Sequence, residues 1–341
     1  MKSFIALLFL IFYCNTIVNA QSKVFGLDGV DIQTIESETV DIDKEFYQAN
    51  DMLFLDEKVV ITDKSNEPAV LVFSKNSAKK FRYVTSYGKP GRGPGDFEDP
   101  WEVFKNPNND SRYYVYDAIN RRIAVYTKDS ELLENSFFSV KGVNFFTSIF
   151  KKDDAFYAAG ITPECQVLVF DSDGEKLDCL GDQPSLNLTT KVSIASEAQR
   201  WHSYAAMNQV ENKVALFYRH AIRARLIETD GTKLNEIVDE KFGVPFTEVI
   251  NGNAAPTNAD MRAFISVTSN NEYIYALYSG RISNGPSSSL GIYVMKYDWD
   301  LNLLDVYKLD HSSINIHVDE DGNLYSIEYE PESKIRLLLL E

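Results

Sequence analysis

The sequence predicts an all-β fold, a six-bladed β-propeller in which a strand from the beginning of the chain completes the last blade. Three observations support this prediction. A hydrophobic run followed by a polar turn recurs six times along the 341 residues. The final copy of this repeat is one strand short, whereas an unpaired strand precedes the first copy. Tyr and Phe, which favour strands because their rings pack well on a pleated surface, occur 19 and 21 times.

The repeated unit is a short run of Val, Ile, Leu or aromatic residues that ends in a turn. Its six copies begin at residues 70 (VLVF), 123 (IAVY), 167 (VLVF), 225 (RLI), 292 (IYVMKY) and 335 (IRLLLL). The first five runs end at residues 73, 126, 170, 227 and 297, so successive ends are 44 to 70 residues apart. A period of this size with variable loops is typical of propeller blades rather than of a tight solenoid.

Most blocks contain four strand-like segments separated by polar turns. For the second blade the predicted strands are 100–106, 112–117, 122–128 and 133–140. For the fifth they are 262–269, 273–279, 291–298 and 303–309. The last block supplies only three, at 313–318, 323–329 and 334–340.

Residues 35–48 (IESETVDIDKEFYQ) look like a strand without a partner. Placing this strand beside the last one closes the ring and pairs two edges that would otherwise invite aggregation. The alternative of two smaller β-sandwiches is disfavoured because no linker-like change in composition divides the chain. We therefore assign residues 35–341 to the propeller and residues 21–34 to a lead-in segment.

Residues 1–20 have the features of a secretory signal peptide. Lys2 supplies the positive charge, residues 4–13 are almost purely apolar, and Ala20 ends a suitable cleavage site. The apolar run is too short to span a bilayer, which needs about 20 residues. Tyr13 before Cys14 is unsuited to a lipid-attachment site, which requires a small residue there. We expect an exported protein, periplasmic or secreted, without a lipid anchor or a transmembrane segment.

The formal net charge of -16 disfavours nucleic acid as a partner, because an acidic surface repels phosphate backbones. The expected partner is an unidentified protein, peptide or saccharide, and a monomer without a cofactor is expected.

After signal cleavage only Cys165 and Cys179 remain. Export permits a disulfide between them, and they flank a predicted hairpin, although a register shift of one residue would place them on opposite faces.

Several segments resemble known propeller families. Residues 88–100 (GKPGRGPGDFEDP) and 114–126 (YVYDAINRRIAVY) are similar to the inter-blade connection and the following hairpin of NHL-type propellers. Residues 273–280, 297–304 and 318–327 resemble the TolB-like six-bladed propellers found as exported proteins in Bacteroidetes. The resemblance covers residues 35–341 and implies a periplasmic or outer-surface binding role with no reaction attached. Many members of that group are lipoproteins, and Tyr13 departs from their pattern.

The loops that lead into the inner strands and those that join second to third strands meet at one mouth of a propeller channel. Much of the arginine of this acidic chain falls in these loops, together with two histidines and two tryptophans. The candidate ligand-binding residues are Arg92, Trp101, Arg121, Arg122, Arg200, Trp201, His202, Arg219, His220, Arg262 and Arg281. Because Arg binds carboxylates and phosphates through paired hydrogen bonds, we expect an anionic ligand, a sugar acid or an acidic peptide there, with Trp101 and Trp201 as flat packing surfaces. The competing interpretation is that these arginines form ion pairs between blades.

No residue pattern indicates catalysis. The chain lacks a Gly-x-Ser-x-Gly elbow, and His202, His220, His311 and His317 show no metal-ligand spacing. The leading prediction is therefore a non-enzymatic binding or scaffold protein. The alternative is a hydrolase or lactonase of the six-bladed type, in which channel oxygens hold a divalent cation. Its candidate ligands are Glu98, Asp99, Asp117, Asn120, Asn251 and Asn253. A purely structural role in an envelope assembly is a third possibility.

Overall fold

A computed structural model describes residues 24–65, 67–106, 109–139, 145–285, 287–329 and 333–340. The predicted signal peptide and Cys14 lie outside these residues. Within them the chain forms six antiparallel blades of four strands, in which the first strand is innermost. The prediction of a six-bladed propeller is confirmed.

The first three blades follow the chain without interruption. Blade 1 consists of Ala49–Leu55, Lys58–Asp63, Val70–Ser77 and Lys80–Tyr87. Blade 2 consists of Pro100–Asn106, Asn109–Asp117, Arg122–Thr127 and Leu132–Ser139. Blade 3 consists of Phe145–Lys152, Ala155–Ile161, Val167–Phe170 and Lys176–Leu180. The predicted strands of blade 2 agree with these bounds to within a few residues.

The last three blades complete the ring. Blade 4 consists of Ser203–Asn208, Lys213–Tyr218, Arg223–Glu228 and Lys233–Val238. Blade 5 consists of Met261–Ser269, Tyr273–Ile282, Gly291–Asp298 and the first half of Leu303–Val318. The second half of that 16-residue strand is the inner strand of blade 6, followed by Leu324–Glu328 and Lys334–Leu338. One continuous strand thus serves two blades.

The beginning of the chain closes the ring as predicted. The strand Ser37–Thr39 pairs antiparallel with Lys334–Leu338, with Glu38 opposite Leu337, and becomes the outer strand of blade 6. The predicted single strand over 35–48 is in fact shorter and has a neighbour on each side. Gln33–Thr34 runs parallel to the outer strand of blade 5, and Asp41–Ile42 runs parallel to that of blade 1. The segment crosses three blade edges, so it pairs with each for only two or three residues.

The core is divided among the six seams between neighbouring blades. In blade 1, Val59 and Ile61 pack toward blade 6, whereas Val60 packs toward blade 2. Alternate side chains of a strand point to opposite faces, and here both faces are covered. This explains why the repeated runs are continuously hydrophobic instead of alternating.

Two connections around blade 4 carry elements that the sequence analysis did not predict. The helix Ile194–Arg200 precedes blade 4, and the hairpin Thr247–Ile250 with Asn253–Pro256 precedes blade 5. Ser193 caps the helix by accepting a hydrogen bond from the Ser196 amide. The Ser196 hydroxyl in turn accepts a bond from the Ala254 amide, 2.9 Å away. Helix and hairpin therefore form one small cap, which we call the insert, beside the seam between blades 4 and 5.

Candidate functional site at one mouth of the channel

The six inner strands surround a channel of about 1100 Å³. One equivalent position in each inner strand faces this channel. The six residues at this position form a ring: Asp51, Glu102, Ser148, Tyr204, Ser266 and Asn315. We refer to them as the ring residues.

Four ring residues join their blade to the next one by accepting an amide hydrogen bond from its inner strand. The Asp51 carboxylate accepts from Val103 (2.7 Å) and the Glu102 carboxyl from Ile149 (2.8 Å). The hydroxyls of Ser148 and Ser266 accept from the amides of Ala205 (2.9 Å) and Ile316 (3.4 Å). In blade 6 the direction of the hydrogen bond is reversed, because the side-chain amide of Asn315 donates to the backbone carbonyl of Asn50, 2.9 Å away. Five seams are thus connected inside the channel.

Tyr204 is the exception. Its hydroxyl accepts a hydrogen bond from Nη1 of Arg219 in the same blade, at 2.9 Å, and it bonds no residue of blade 5 in the described chain. Arg219 follows the second strand of blade 4 and lines the channel, as Tyr204 does. The seam between blades 4 and 5 therefore exposes a guanidinium group where the other seams have a hydrogen bond between blades.

A second arginine lies beside the first. Arg262, the second residue of the inner strand of blade 5, is half-buried. Burial and the positive charge of Arg219 lower the pKa of Arg262 to about 10. Among the described residues neither arginine forms an ion pair with a carboxylate, and the Nε atom of each is buried without a hydrogen-bond partner. Two like charges thus lie close together and partly desolvated, and the Asp260 carboxylate attracts Arg262 without forming a direct ion pair with it.

His202 borders the same pair. Its ring stacks on Tyr204, with 5.4 Å between ring centres. Burial and the charges of Arg219, His220 and Arg262 hold the pKa of His202 well below its usual value. The imidazole is therefore neutral at pH 7, and it adds polar atoms to the mouth without adding charge.

A buried ion-pair network lies behind Arg262. Asp260 accepts a hydrogen bond from Nη2 of Arg200, and its other oxygen is 3.0 Å from Nδ1 of His220. The Asp260 side chain is only 1% exposed and that of Arg200 5%. Arg200 is the last residue of the insert helix and also contacts Thr247 of the insert hairpin, at 3.2 Å. The insert thus delivers one member of this network.

The structure brings together five of the predicted ligand-binding residues: Arg200, His202, Arg219, His220 and Arg262. Arg281 lies directly across from Arg262 on the adjacent strand. Arg200 forms an ion pair with Asp260, as the competing interpretation expects. The exposed Arg92 pairs with Glu98, 2.9 Å from its Nε, but both residues belong to the same connection between blades 1 and 2. Arg121 is exposed and Arg122 buried at the blade 2 turn; Arg122 donates to the Arg92 carbonyl, at 2.9 Å.

The two tryptophans have different positions. Trp101 lines the channel, but the Lys64 ammonium lies 3.8 Å from its ring centre. The prediction that Trp201 offers a flat surface to a ligand is wrong. Its side chain is 1% exposed and packs on Tyr218 and under the Arg223 guanidinium. The residue follows the helix end, so its ring turns toward the insert core instead of the channel.

The opposite side of the channel is acidic. Burial and the neighbouring Asp51 raise the pKa of Glu102 well above its ordinary value, against the opposing effect of the Ile149 amide. Asp51 is also 3.0 Å from Nε2 of His317. The channel therefore carries carboxyl groups at blades 1 and 2 and the Arg219 guanidinium at blade 4, with Arg262 of blade 5 near Arg219.

The residues proposed for a cation site have other roles in the structure. Asp117 accepts hydrogen bonds from the amides of Glu98, Asp99 and Asn120, which organises the blade 2 turn. Asn251 and Asn253 belong to the insert hairpin, far along the chain from that turn. No group of three or more His, Cys, Asp or Glu side chains is placed to hold a metal ion in the part of the chain described.

Cys165 and Cys179 lie at bonding distance, with their sulfur atoms 2.05 Å apart and their Cα atoms 5.5 Å apart. The bond is diagonal, because Cys179 is paired across the strands with Leu168. It connects the two outer strands of blade 3 and lies away from the arginine pair. Closing a loop of this length stabilises a protein by about 3 kcal/mol.

Sequence reasoning missed Tyr204, Asp260 and Glu102. Aligning the six inner strands would have exposed the signal for Tyr204, since its ring position holds short polar or acidic residues in the other blades. Asp260 precedes the predicted strand by two residues and was not considered. Its importance depends on Arg200, which is 60 residues away in the chain.

Comparisons with known proteins agree with this architecture. A family model described as a TolB-like 6-blade propeller matches residues 51–321. A protein from Bacteroides fragilis described as exported is 11% identical with a TM-score of 0.57, and the alignment covers 91% of this chain and 100% of that one. A duf4221 family member from Bacteroides vulgatus is 8% identical with a TM-score of 0.54, covering 91% and 99%. The WD40 repeats of RRP9 are 10% identical with a TM-score of 0.52, covering 91% and 100%.

At such identities the structural similarities establish the fold alone. No curated protein sequence matches the chain. In the described residues, none of the helices is long and apolar enough to cross a membrane.

Proposed function

The chain belongs to the TolB-like six-bladed propeller family, and from this premise we propose that it is an exported binding protein that takes a carboxylate-bearing ligand at the channel mouth beside blades 4 and 5. Export is supported by the signal-like residues 1–20 and by the similarity to a Bacteroides fragilis protein described as exported. The pair of cysteines at bonding distance also suits an oxidising compartment.

One observation carries the proposed ligand chemistry. Arg219 and Arg262 are adjacent, partly buried and without a carboxylate partner among the described residues. Keeping two like charges together in a partly desolvated site costs free energy. An anion bound between them would remove this repulsion and accept charge-assisted hydrogen bonds, which are the strong ones. The planar guanidinium group matches a carboxylate, which it can bind through two hydrogen bonds.

The surroundings favour an organic anion over a bare ion. Tyr204, Trp101 and Arg219 line the same channel, and its volume of about 1100 Å³ leaves room for more than a carboxylate. Ligand sites of this kind combine aromatic walls with a few polar groups that fix orientation. A sugar acid and an acidic peptide share the required carboxylate, so the experiment has to separate these two sources.

Calorimetric titration tests the proposal. The probes are D-galacturonate as a sugar acid, N-acetyl-triglutamate as an acidic peptide, and D-galactose as a neutral control. We expect one carboxylate probe to bind and galactose not to bind. Arg219→Ala and Arg262→Ala should each weaken binding about tenfold or more, since a hydrogen bond to a charged group contributes about 1.5–3 kcal/mol.

Arg92→Ala is the matched control. It removes an arginine whose side chain is 78% exposed and already paired with Glu98. Its affinity for the probe should equal that of the wild type. If neither carboxylate binds at millimolar concentration, or if both mouth variants bind as tightly as the wild type, the proposed function is wrong.

A further inference from the structure

In the buried network behind Arg262, the two ring nitrogens of His220 contact groups of opposite hydrogen-bonding type. His220 lies between an acceptor and a donor. Its Nδ1 is 3.0 Å from an oxygen of Asp260, and its Nε2 is 3.4 Å from Nη1 of Arg262. An ionised carboxylate only accepts hydrogen bonds, and a guanidinium only donates them. Nη1 of Arg200 is also 3.5 Å from Nδ1, but the Asp260 oxygen is closer. We therefore assign the His220 proton to Nδ1, so that the Nε2 lone pair accepts from Arg262.

Burial keeps His220 in this neutral form among several charged neighbours. It faces Arg200 on the insert helix, Asp260 before the inner strand of blade 5, Arg262 on that strand, and His202 at the start of blade 4. Burial lowers the pKa of His220 to about 4. The charges of Arg200 and Arg262 lower it further, and Asp260 acts in the opposite direction. Near neutral pH the ring therefore accepts a hydrogen bond at Nε2.

Asp260 is itself held in a fixed orientation. One oxygen accepts from Arg200, and the other accepts from the Ser283 hydroxyl, at 2.7 Å, as well as from His220. Arg200 comes from the insert, whereas Ser283 follows the second strand of blade 5. The chain thus uses residues from three separate segments to fix one imidazole whose far nitrogen contacts Arg262.

We propose that Asp260 and His220 are positioning residues that select the His220 tautomer and thereby orient the Arg262 guanidinium toward the anionic ligand. This inference rests on the proposed function. Arg262 is long and has many rotamers, so a fixed acceptor at one Nη reduces the ordering that ligand binding would otherwise require. Supporting groups of this kind set both tautomer and orientation in other binding sites.

Asp260→Asn is the sharpest test, because it replaces one carboxylate oxygen with an NH2 group and leaves the shape intact. Arg200 can only donate, so the Asn oxygen should turn toward Arg200 and the NH2 group toward His220. His220 must then accept at Nδ1 and carry its proton on Nε2, facing the donor Arg262. Nitrogen-15 NMR of the ring distinguishes the two tautomers directly. We expect the Nδ1–H form in the wild type and the Nε2–H form in the variant.

Binding of the carboxylate probe is measured on the same proteins. Asp260→Asn should weaken it about tenfold, the effect of losing one well-placed hydrogen bond. His220→Gln provides a rescue, because the Gln side-chain oxygen can reach the place of Nε2 and should retain binding within about threefold. His220→Leu has a similar volume but no acceptor, and its binding should fall like that of Asp260→Asn. Thermal unfolding of each variant verifies that it is folded.

The outcomes separate this inference from the proposed function. If the carboxylate binds through Arg219 and Arg262, but Asp260→Asn and His220→Leu bind like the wild type, the positioning role is wrong and the proposed function stands. An Nε2–H tautomer in the wild type also overturns the positioning role. If no carboxylate binds the wild type, both proposals fail together, whatever the tautomer. Should His220→Leu not fold, the comparison of Asp260→Asn with His220→Gln decides.

Discussion

Five seams of this propeller differ from the sixth in how neighbouring blades are connected inside the channel. At five seams a ring residue forms a hydrogen bond to the backbone of the next blade, as Asp51 does with Val103 and Ser148 with Ala205. At the seam between blades 4 and 5 the ring residue Tyr204 bonds Arg219 instead. That seam is connected behind the channel by buried charges, through Arg200 and Asp260.

Under the proposed function, this difference is the way in which the repeated fold acquires a ligand site. A ring residue that bonds the neighbouring backbone uses at least one of its polar atoms to join the two blades. At the seam between blades 4 and 5, the blades are joined through Arg200 of the insert and Asp260. The ring residue Tyr204 is therefore free to bond the Arg219 side chain in the channel. The insert and the arginine pair therefore occur together at the one seam that differs from the other five, as expected when a function is added to a common fold.

The largest expected effect comes from breaking the buried connection. Asp260→Ala leaves Arg200 without its carboxylate, and a broken buried ion pair destabilises a protein by about 3–5 kcal/mol. Urea denaturation followed by circular dichroism should show this loss in the free energy of unfolding. Arg92→Ala breaks an ion pair whose arginine is 78% exposed, and exposed pairs contribute about 0–1 kcal/mol. Equal effects of the two substitutions would contradict the assignment of Asp260 as the connection of this seam.

The second effect is a dependence of stability on pH that originates at the same seam. The pKa of His220 is lowered to about 4 in the folded protein and is about 6.5 in an unfolded chain. A lowered histidine pKa means that the unfolded state binds the proton more tightly. The resulting stability is present above pH 6.5 and is lost as the pH falls toward 4, by about 3 kcal/mol in total.

His220→Gln removes this titration, so its free energy of unfolding should fall less than that of the wild type between pH 6.5 and 4.5. The comparison has to be made variant against wild type, because Glu102 acts in the opposite direction. Its raised pKa gives stability that is present below the unfolded pKa of about 4.3 and is lost as the pH rises. Identical pH profiles for the two proteins would show that His220 does not titrate as described.

The smallest effects contrast two ring residues directly. Ser148→Ala removes the acceptor of the Ala205 amide, and an unsatisfied buried amide costs about 1–3 kcal/mol. Tyr204→Phe removes no bond between blades, so it should cost less than about 1 kcal/mol, but it releases Arg219. We expect Ser148→Ala to lower the midpoint of urea unfolding and leave carboxylate affinity unchanged, and Tyr204→Phe to do the reverse. Similar profiles for both variants would mean that the sixth seam is not functionally distinct.

Parts of the fold that depend on neighbouring residues in the chain could be predicted from the sequence, whereas parts that depend on tertiary contacts could not. The runs at 70–73 and 167–170 predict strands because each residue is buried on one face or the other. The missing strand of blade 6 predicts closure by residues near 37–39, because a count of strands needs no coordinates. The insert helix Ile194–Arg200 was missed because it has only seven residues and is held by tertiary contacts such as the hydrogen bond from Ala254 of the hairpin to Ser196.

The number of blades, the closure by the N-terminal strand and the location of several arginines in mouth loops could be read from the sequence. The first two follow from strand runs that recur along the chain, since burial on both faces keeps these runs hydrophobic in every blade. Tertiary structure alone decided which arginines are paired and which are left without a partner. Arg200 and Arg262 look alike in the sequence, but only folding brings Asp260 to one and Arg219 to the other, across segments separated by tens of residues.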